Sequence, residues 1–253
     1  MADLLNPLLT RQELRKVLGG IDDVYPFFED LIFDINKWDD DFQGDTLHGG
    51  YQSTASGASA AAAAINTGAV GGQVRLTTGT DDNGRSDLSL GLHYYGQNNA
   101  IVAARVALSA VSTVKLEVGF TDVLSGTDAG AVDVLTTPTF NAADWVGFCL
   151  DTDLDANFRF LGVAAGTASS VVATARPPTA ATFEWYVVQL SDTRARGFIL
   201  TASGGEVYST GWITGAVTAD VLLTPWVFAQ SRAVSSSRNC DIDRLKVWQR
   251  TTT

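Results

Sequence analysis

The sequence predicts an all-β fold, an antiparallel sandwich carrying a short N-terminal helical arm, and three observations support it. From about residue 40 onward apolar side chains recur at every second position, the period of a strand with one buried face. The runs are separated by clusters of Gly, Ser, Asp and Asn, as antiparallel turns require. Composition permits a large core, because 45% of the 253 residues are hydrophobic and only 18% are charged.

Residues 1–38 read differently. Thr10 and Glu13 fit a capping box, in which hydroxyl and carboxylate satisfy opposite backbone N–H groups. Leu14, Val17 and Leu18 then share one helical face, and Gly19-Gly20 supplies a stop. A second amphipathic helix opens at Pro26. Its apolar face is Phe27, Phe28, Leu31, Ile32 and Ile35, with Glu29, Asp30 and Asp34 between them. Helices this short are marginal alone, so their stripes need cover. Residues 1–38 are therefore expected to be an attachment arm, with these apolar residues as the partner interface, and residues 39–253 the sandwich. Packing of both helices on their own sandwich is the alternative.

Along the body, residues 53–64 form a small-residue run that helix, loop and strand all accommodate. Val74, Leu76 and Thr78 face opposite to Gln73, Arg75 and Thr77. Val102, Ala104, Val106 and Leu108 form an inward row with Arg105 turned out. The clearest strand is 113–120, where Val114, Leu116, Val118 and Phe120 face inward while Thr113, Lys115 and Glu117 face solvent. On that parity Leu116→Asp abolishes folding and Lys115→Asp is mild. Further strands are expected at 144–150, 157–163, 170–174, 182–190, 196–202, 206–213 and 240–249. Asp243 shares parity with Leu245 and Val247, which marks it as a buried acid.

Charge excludes some partners. Lys and Arg number 17 against 28 Asp and Glu, a net charge of −11 that repels phosphate backbones and anionic lipid. Residues 1–45 carry much of the excess, with eleven acids against four bases. No apolar run approaches the roughly 20 residues of a membrane span, and the first residues lack the order of a signal peptide. Neither nucleic acid nor membrane is expected as a partner. Cys149 and Cys240 are too few for a disulfide scaffold and read as reduced, buried thiols.

Chemistry-bearing motifs are sparse. His48 and His93 sit beside turn-like sequence, and no Gly-x-Ser-x-Gly string builds a nucleophile elbow. Asp151, Asp153 and Asp155, followed by Asn157, have calcium-loop spacing. Ala156 replaces the turn glycine and the distal Glu is missing, so an ordinary acidic turn is the favoured reading. Trp145, Trp185, Trp212, Trp226 and Trp248, with Tyr94-Tyr95, are candidates for a sugar platform, although tryptophan within an apolar strand usually packs the core. Tyr94, Tyr95 and Trp248 are the least committed to burial.

Five strings, in order, resemble a phage-encoded concanavalin A-like (laminin G-like) jelly-roll. They are residues 42–46 (FQGDT), 71–79 (GGQVRLTTG), 118–122 (VGFTD), 148–160 (FCLDTDLDANFRF) and 241–249 (DIDRLKVWQ). The resemblance implies a jelly-roll found in virion structural proteins, in glycan-binding modules and in glycoside-cleaving enzymes. Those hydrolases carry Glu-x-Asp-x-x-Glu along one strand, and no such string occurs here. Glu117 is instead expected on solvated surface. The sequence thus leads to a non-enzymatic bacteriophage virion structural protein, a capsid decoration or auxiliary head protein, with no catalytic residue, cofactor or metal. Its partners would be other virion proteins, capsid or tail subunits, and a homo-oligomer is compatible with this. The alternatives are a tail or neck component, or a glycan-binding module for host-surface adhesion.

Overall fold

The structure is a computed structural model that describes residues 35–124 and 130–250. Residues 37–249 form one compact unit. Of the expected arm interface, Leu14, Val17, Leu18, Phe27, Phe28, Leu31 and Ile32 lie outside the described residues. Ile35, expected on a helix, instead opens a strand, because the backbone from residue 35 to 40 is extended and joins a sheet.

The strands in chain order begin with β1 (Ile35–Asp40), β2 (Ala55–Ser56), β3 (Ala61–Ile65), β4 (Val74–Thr77), β5 (Arg85–Ser89) and β6 (Ile101–Leu108). Next come β7 (Val114–Thr121), β8 (Val132–Val134), β9 (Thr139–Phe140), β10 (Trp145–Asp151), β11 (Asp155–Ala164) and β12 (Thr167–Ala168). The last are β13 (Val172–Ala173), β14 (Glu184–Ser191), β15 (Arg194–Thr201), β16 (Glu206–Ser209), β17 (Thr224–Ser231) and β18 (Asn239–Arg250). A back sheet runs β16-β15-β14-β6-β18-β4-β3, with β1 beside β18. A front sheet runs β12-β11-β10-β7-β17-β5-β2, with β13 beside β11. The small-residue run thus resolves into two short strands, β2 and β3.

The main core lies between the sheets and holds the inward rows expected from the sequence. Val114, Leu116, Val118 and Phe120 are fully buried, facing Val102, Ala104, Val106 and Leu108 of the back sheet. What the period did not show is that the front sheet is covered on its other face as well. Residues 130–145 fold over it, and Ala131, Val132, Leu135 and Ala142 pack on Trp145, Cys149, Leu161 and Val163 as a second, smaller core. Lys115 and Glu117 lie beneath this cover and are 0% exposed, which corrects their assignment to solvent. The same cover explains why β17 shows no alternation. All of its residues are buried, so the period of two vanishes.

Asp243 is largely buried, as its parity suggested, but on the other face of the sheet. Ile242 pairs with Val106 and Arg244 with Arg105, so Asp243 is the extra residue of a β-bulge. The bulge puts both Ile242 and Leu245 inside and turns Asp243 outward, where it meets the Arg105 guanidinium. Desolvation holds its carboxyl above the usual range, opposed by the charges of Arg105 and Arg244. A raised folded-state value means that protonation favours the fold, and that contribution is lost as pH rises through it. The wild type should therefore gain stability relative to Asp243→Asn as pH falls from neutral toward the ordinary carboxylate value of about 4. Melting curves of both proteins across that interval check this, and the opposite slope would mean that the Arg105 pair outweighs burial.

Candidate functional site

A cleft opens where β1 runs into the loop that follows it. Its volume is about 660 Å³, within the usual range for small-ligand sites, and Lys37, Trp38, Asp40, Gln43, Thr46 and His48 line it. Sequence and packing hold the indole of Trp38 in place. Its N–H donates to the Tyr51 hydroxyl at 2.8 Å. The rings of His48 and Tyr51 meet it edge-on, with centroids 4.8 and 5.4 Å away. Gly50 leaves room for this, since a Cβ there would stand 2.8 Å from the Trp38 ring.

The loop beneath is equally constrained. Phe42 adopts a φ of +56°, unusual for a bulky side chain, and buries its ring beside Tyr51. Its N–H donates to Asp40 Oδ1 at 2.7 Å. Gly72 lets the loop backbone approach, because a Cβ there would meet the Asp41 carbonyl oxygen at 2.3 Å. At the rim, Arg244 binds Asp39 through two nitrogens at 3.0 and 3.3 Å. His48 Nδ1 accepts from the Gly50 N–H at 3.0 Å, which in a neutral ring leaves Nε2 as a donor. Burial pushes the Tyr51 hydroxyl well above its ordinary value, so it stays protonated. The result is an indole ringed by a carboxylate, an amide, an imidazole and an ammonium. Such a set can stack on the apolar face of a sugar ring and exchange hydrogen bonds with its hydroxyls.

A second cleft of about 510 Å³ involves Asp81, Asp82, Asn83, Asp133 and Arg232. It has no aromatic ring, and its arginine is already engaged, with Nε on Asp151 Oδ1 at 3.1 Å and Nη1 on Asn83 Oδ1 at 2.9 Å. The same pairing decides the Asp151–Asp155 segment. Asp151 is buried on Arg232, while Asp155 takes the Asn157 N–H and the Arg159 guanidinium, contacts that lower its pKa with the Asn157 N–H first. Leu154 N–H closes the turn on the Asp151 carbonyl at 3.0 Å, the acidic turn favoured from the sequence.

Glu117 is fully enclosed. Its carboxylate accepts the N–H groups of Ala131 and Val132 at 2.9 and 3.0 Å and the indole N–H of Trp226 at 3.0 Å. Lys115 Nζ lies 3.1 Å away and also donates to the Val132 carbonyl. This pair pins residues 130–145 onto the front sheet. Burial pushes the Cys149 thiol up, which removes its thiolate character.

The structure separates the aromatic candidates. Trp145 and Trp226 are core residues, and Trp185 and Trp248 are half-buried on the back sheet. Trp212 is 40% exposed. Tyr94, read as among the rings least committed to burial, is buried, and burial carries its hydroxyl to about 12. Trp38 was missed, since it falls at the end of the presumed arm. The adjacent run Asp39-Asp40-Asp41, with His48 soon after, is the signal that could have found it.

No family profile and no curated protein matches the chain. Solved structures do. A protein of unknown function from Shewanella oneidensis MR-1 superposes with a TM-score of 0.58 at 13% identity, covering 97% of this chain and 98% of that one. A seed lectin of Lotus tetragonolobus gives 0.55 at 12% identity, covering 86% of this chain and 100% of the lectin. A Bacillus licheniformis β-glucanase gives 0.54 at 9% identity, covering 84% and 97%. The glucanase corrects the expectation of a non-enzyme. Enzymes are built on this fold, so the missing acid motif no longer excludes catalysis. The likeness carries over the architecture alone. The chain has the concanavalin A-like jelly-roll fold that these lectins and glucanases share.

Proposed function

We propose that the protein binds glycans and that the Trp38 cleft is its saccharide site. The observation that carries this reading is the Trp38 indole, fixed by Tyr51 and His48 and bordered by Asp40 and Gln43, on a fold shared with a seed lectin. The virion role expected from the sequence strings draws no support from the similar structures, and glycan binding takes its place.

A glycan array followed by calorimetry on the best saccharide tests this. Trp38→Ala should weaken binding by about tenfold or more, equivalent to about 1.4 kcal/mol or above. Gln43→Ala, at an exposed position, should weaken it without changing the melting temperature. Undiminished binding by both variants would place the saccharide elsewhere, and an array with no positive spot would remove the reading altogether.

A further inference from the structure

The outer face of the back sheet carries a group that the Trp38 cleft does not use. Ala195 is buried, so its neighbours Arg194 and Arg196 project outward from β15. The N–H and carbonyl of Ile213 pair with those of Ala195 at 2.8 and 3.0 Å, and Ile213 is itself buried. This bridge sets Trp212 on the outer side, beside both arginines. The Arg194 and Arg196 guanidinium carbons lie 5.3 and 4.7 Å from the Trp212 ring centroid. Arg196 also covers Phe198 at 4.9 Å and donates from Nε to Gln189 Oε1 at 2.8 Å.

Three properties of this group point to a ligand. The Arg194 guanidinium, stacked on the ring, keeps in-plane N–H donors for an oxyanion, which such donors match two at a time. Arg194 is exposed and forms no ion pair with a carboxylate among the described residues. The chain as a whole carries −11, so a cationic and aromatic patch runs against its charge. A second copy of the same patch would bring like charges together and is disfavoured as the occupant.

We propose that the Trp212 cluster binds an acidic saccharide, with the sugar ring against the indole and a sulfate or carboxylate held by Arg194 and Arg196. The proposal rests on the glycan reading for the class of ligand and on different residues for the site. The test is calorimetry of the full chain with a sulfated, a uronic and a neutral hexasaccharide, at low and at moderate salt. The sulfated or uronic sugar should bind more tightly than the neutral one, and more weakly as salt rises. The double variant Arg194→Gln, Arg196→Gln should lose about tenfold or more in affinity for the acidic sugar. The loss should be of the same size when both proteins also carry Trp38→Ala, which removes the other site. Trp212→Ala should weaken it too, and Arg194→Gln alone, at an exposed position, decides the matter if that variant folds poorly. Equal binding of acidic and neutral sugars by Trp38→Ala, or full affinity in the double variant, would overturn the proposal. An oligothymidylate of equal charge that bound as tightly would overturn the saccharide as occupant. Loss of neutral-sugar binding in Trp38→Ala reads only the other site, so the two proposals fail separately.

Discussion

Glu117→Ala is expected to lower folding stability by about 3–5 kcal/mol, the range for removing one partner of a buried ion pair. The substitution leaves the Lys115 ammonium under the cover formed by residues 130–145 and takes the acceptor from the N–H groups of Ala131 and Val132 and from the Trp226 indole. Glu117→Gln should be milder, because its carbonyl can still accept some of these bonds. Lys115→Asp, harmless if the strand alternated between core and water, should be about as damaging as Glu117→Ala, since it sets two carboxylates side by side in the same enclosure. Urea denaturation of the three variants measures all of this. A loss under about 1 kcal/mol for Glu117→Ala, the scale of an exposed pair, would show that the cover does not exclude water.

Leu116→Asp should leave no folded protein. Leu116 is fully buried between the sheets, directly across from Leu150 of β10 and Ala229 of β17. A carboxylate there has no cation or donor aimed at it, and burying such a charge costs several kcal/mol, comparable with the 5–15 kcal/mol of a typical domain. Soluble yield and the far-ultraviolet circular dichroism spectrum are the readouts. A cooperative transition within a few degrees of wild type would contradict the assignment of this strand to the main core.

These two neighbours show what a sequence pattern carries and what it does not. The inward row of β7 was legible because it faces the sandwich interior, where every second residue must be apolar. The outer row was misread because its cover comes from residues 130–145, and two charged residues that satisfy each other look like two that satisfy water. β17 escaped because burial on both faces erases its period. The burial of Asp243 was legible but its face was not, because one inserted residue reverses parity and a bulge has no compositional mark. The Trp38 cleft was hidden by the change of pattern near residue 40, which drew the boundary of the arm through it. Trp212 was visible as a candidate, but its two arginines come from another strand and only the Ala195–Ile213 bridge brings them together.

The order of strands has a consequence for synthesis. β17 lies between β7 and β5 at the middle of the front sheet, and β18 lies between β6 and β4 at the middle of the back sheet. The last two strands in sequence are therefore the ones that join the halves of both sheets. While the chain emerges from the ribosome, β7 and β5 have no partner to bridge them until residues 224–231 are free, and β6 and β4 wait for residues 239–250. Nascent chains halted before residue 224 should remain protease-sensitive and depend on chaperones, because the apolar rows of both sheets stay wet until then. Closure of both sheets of this sandwich in that sense waits for its two latest strands, β17 and β18.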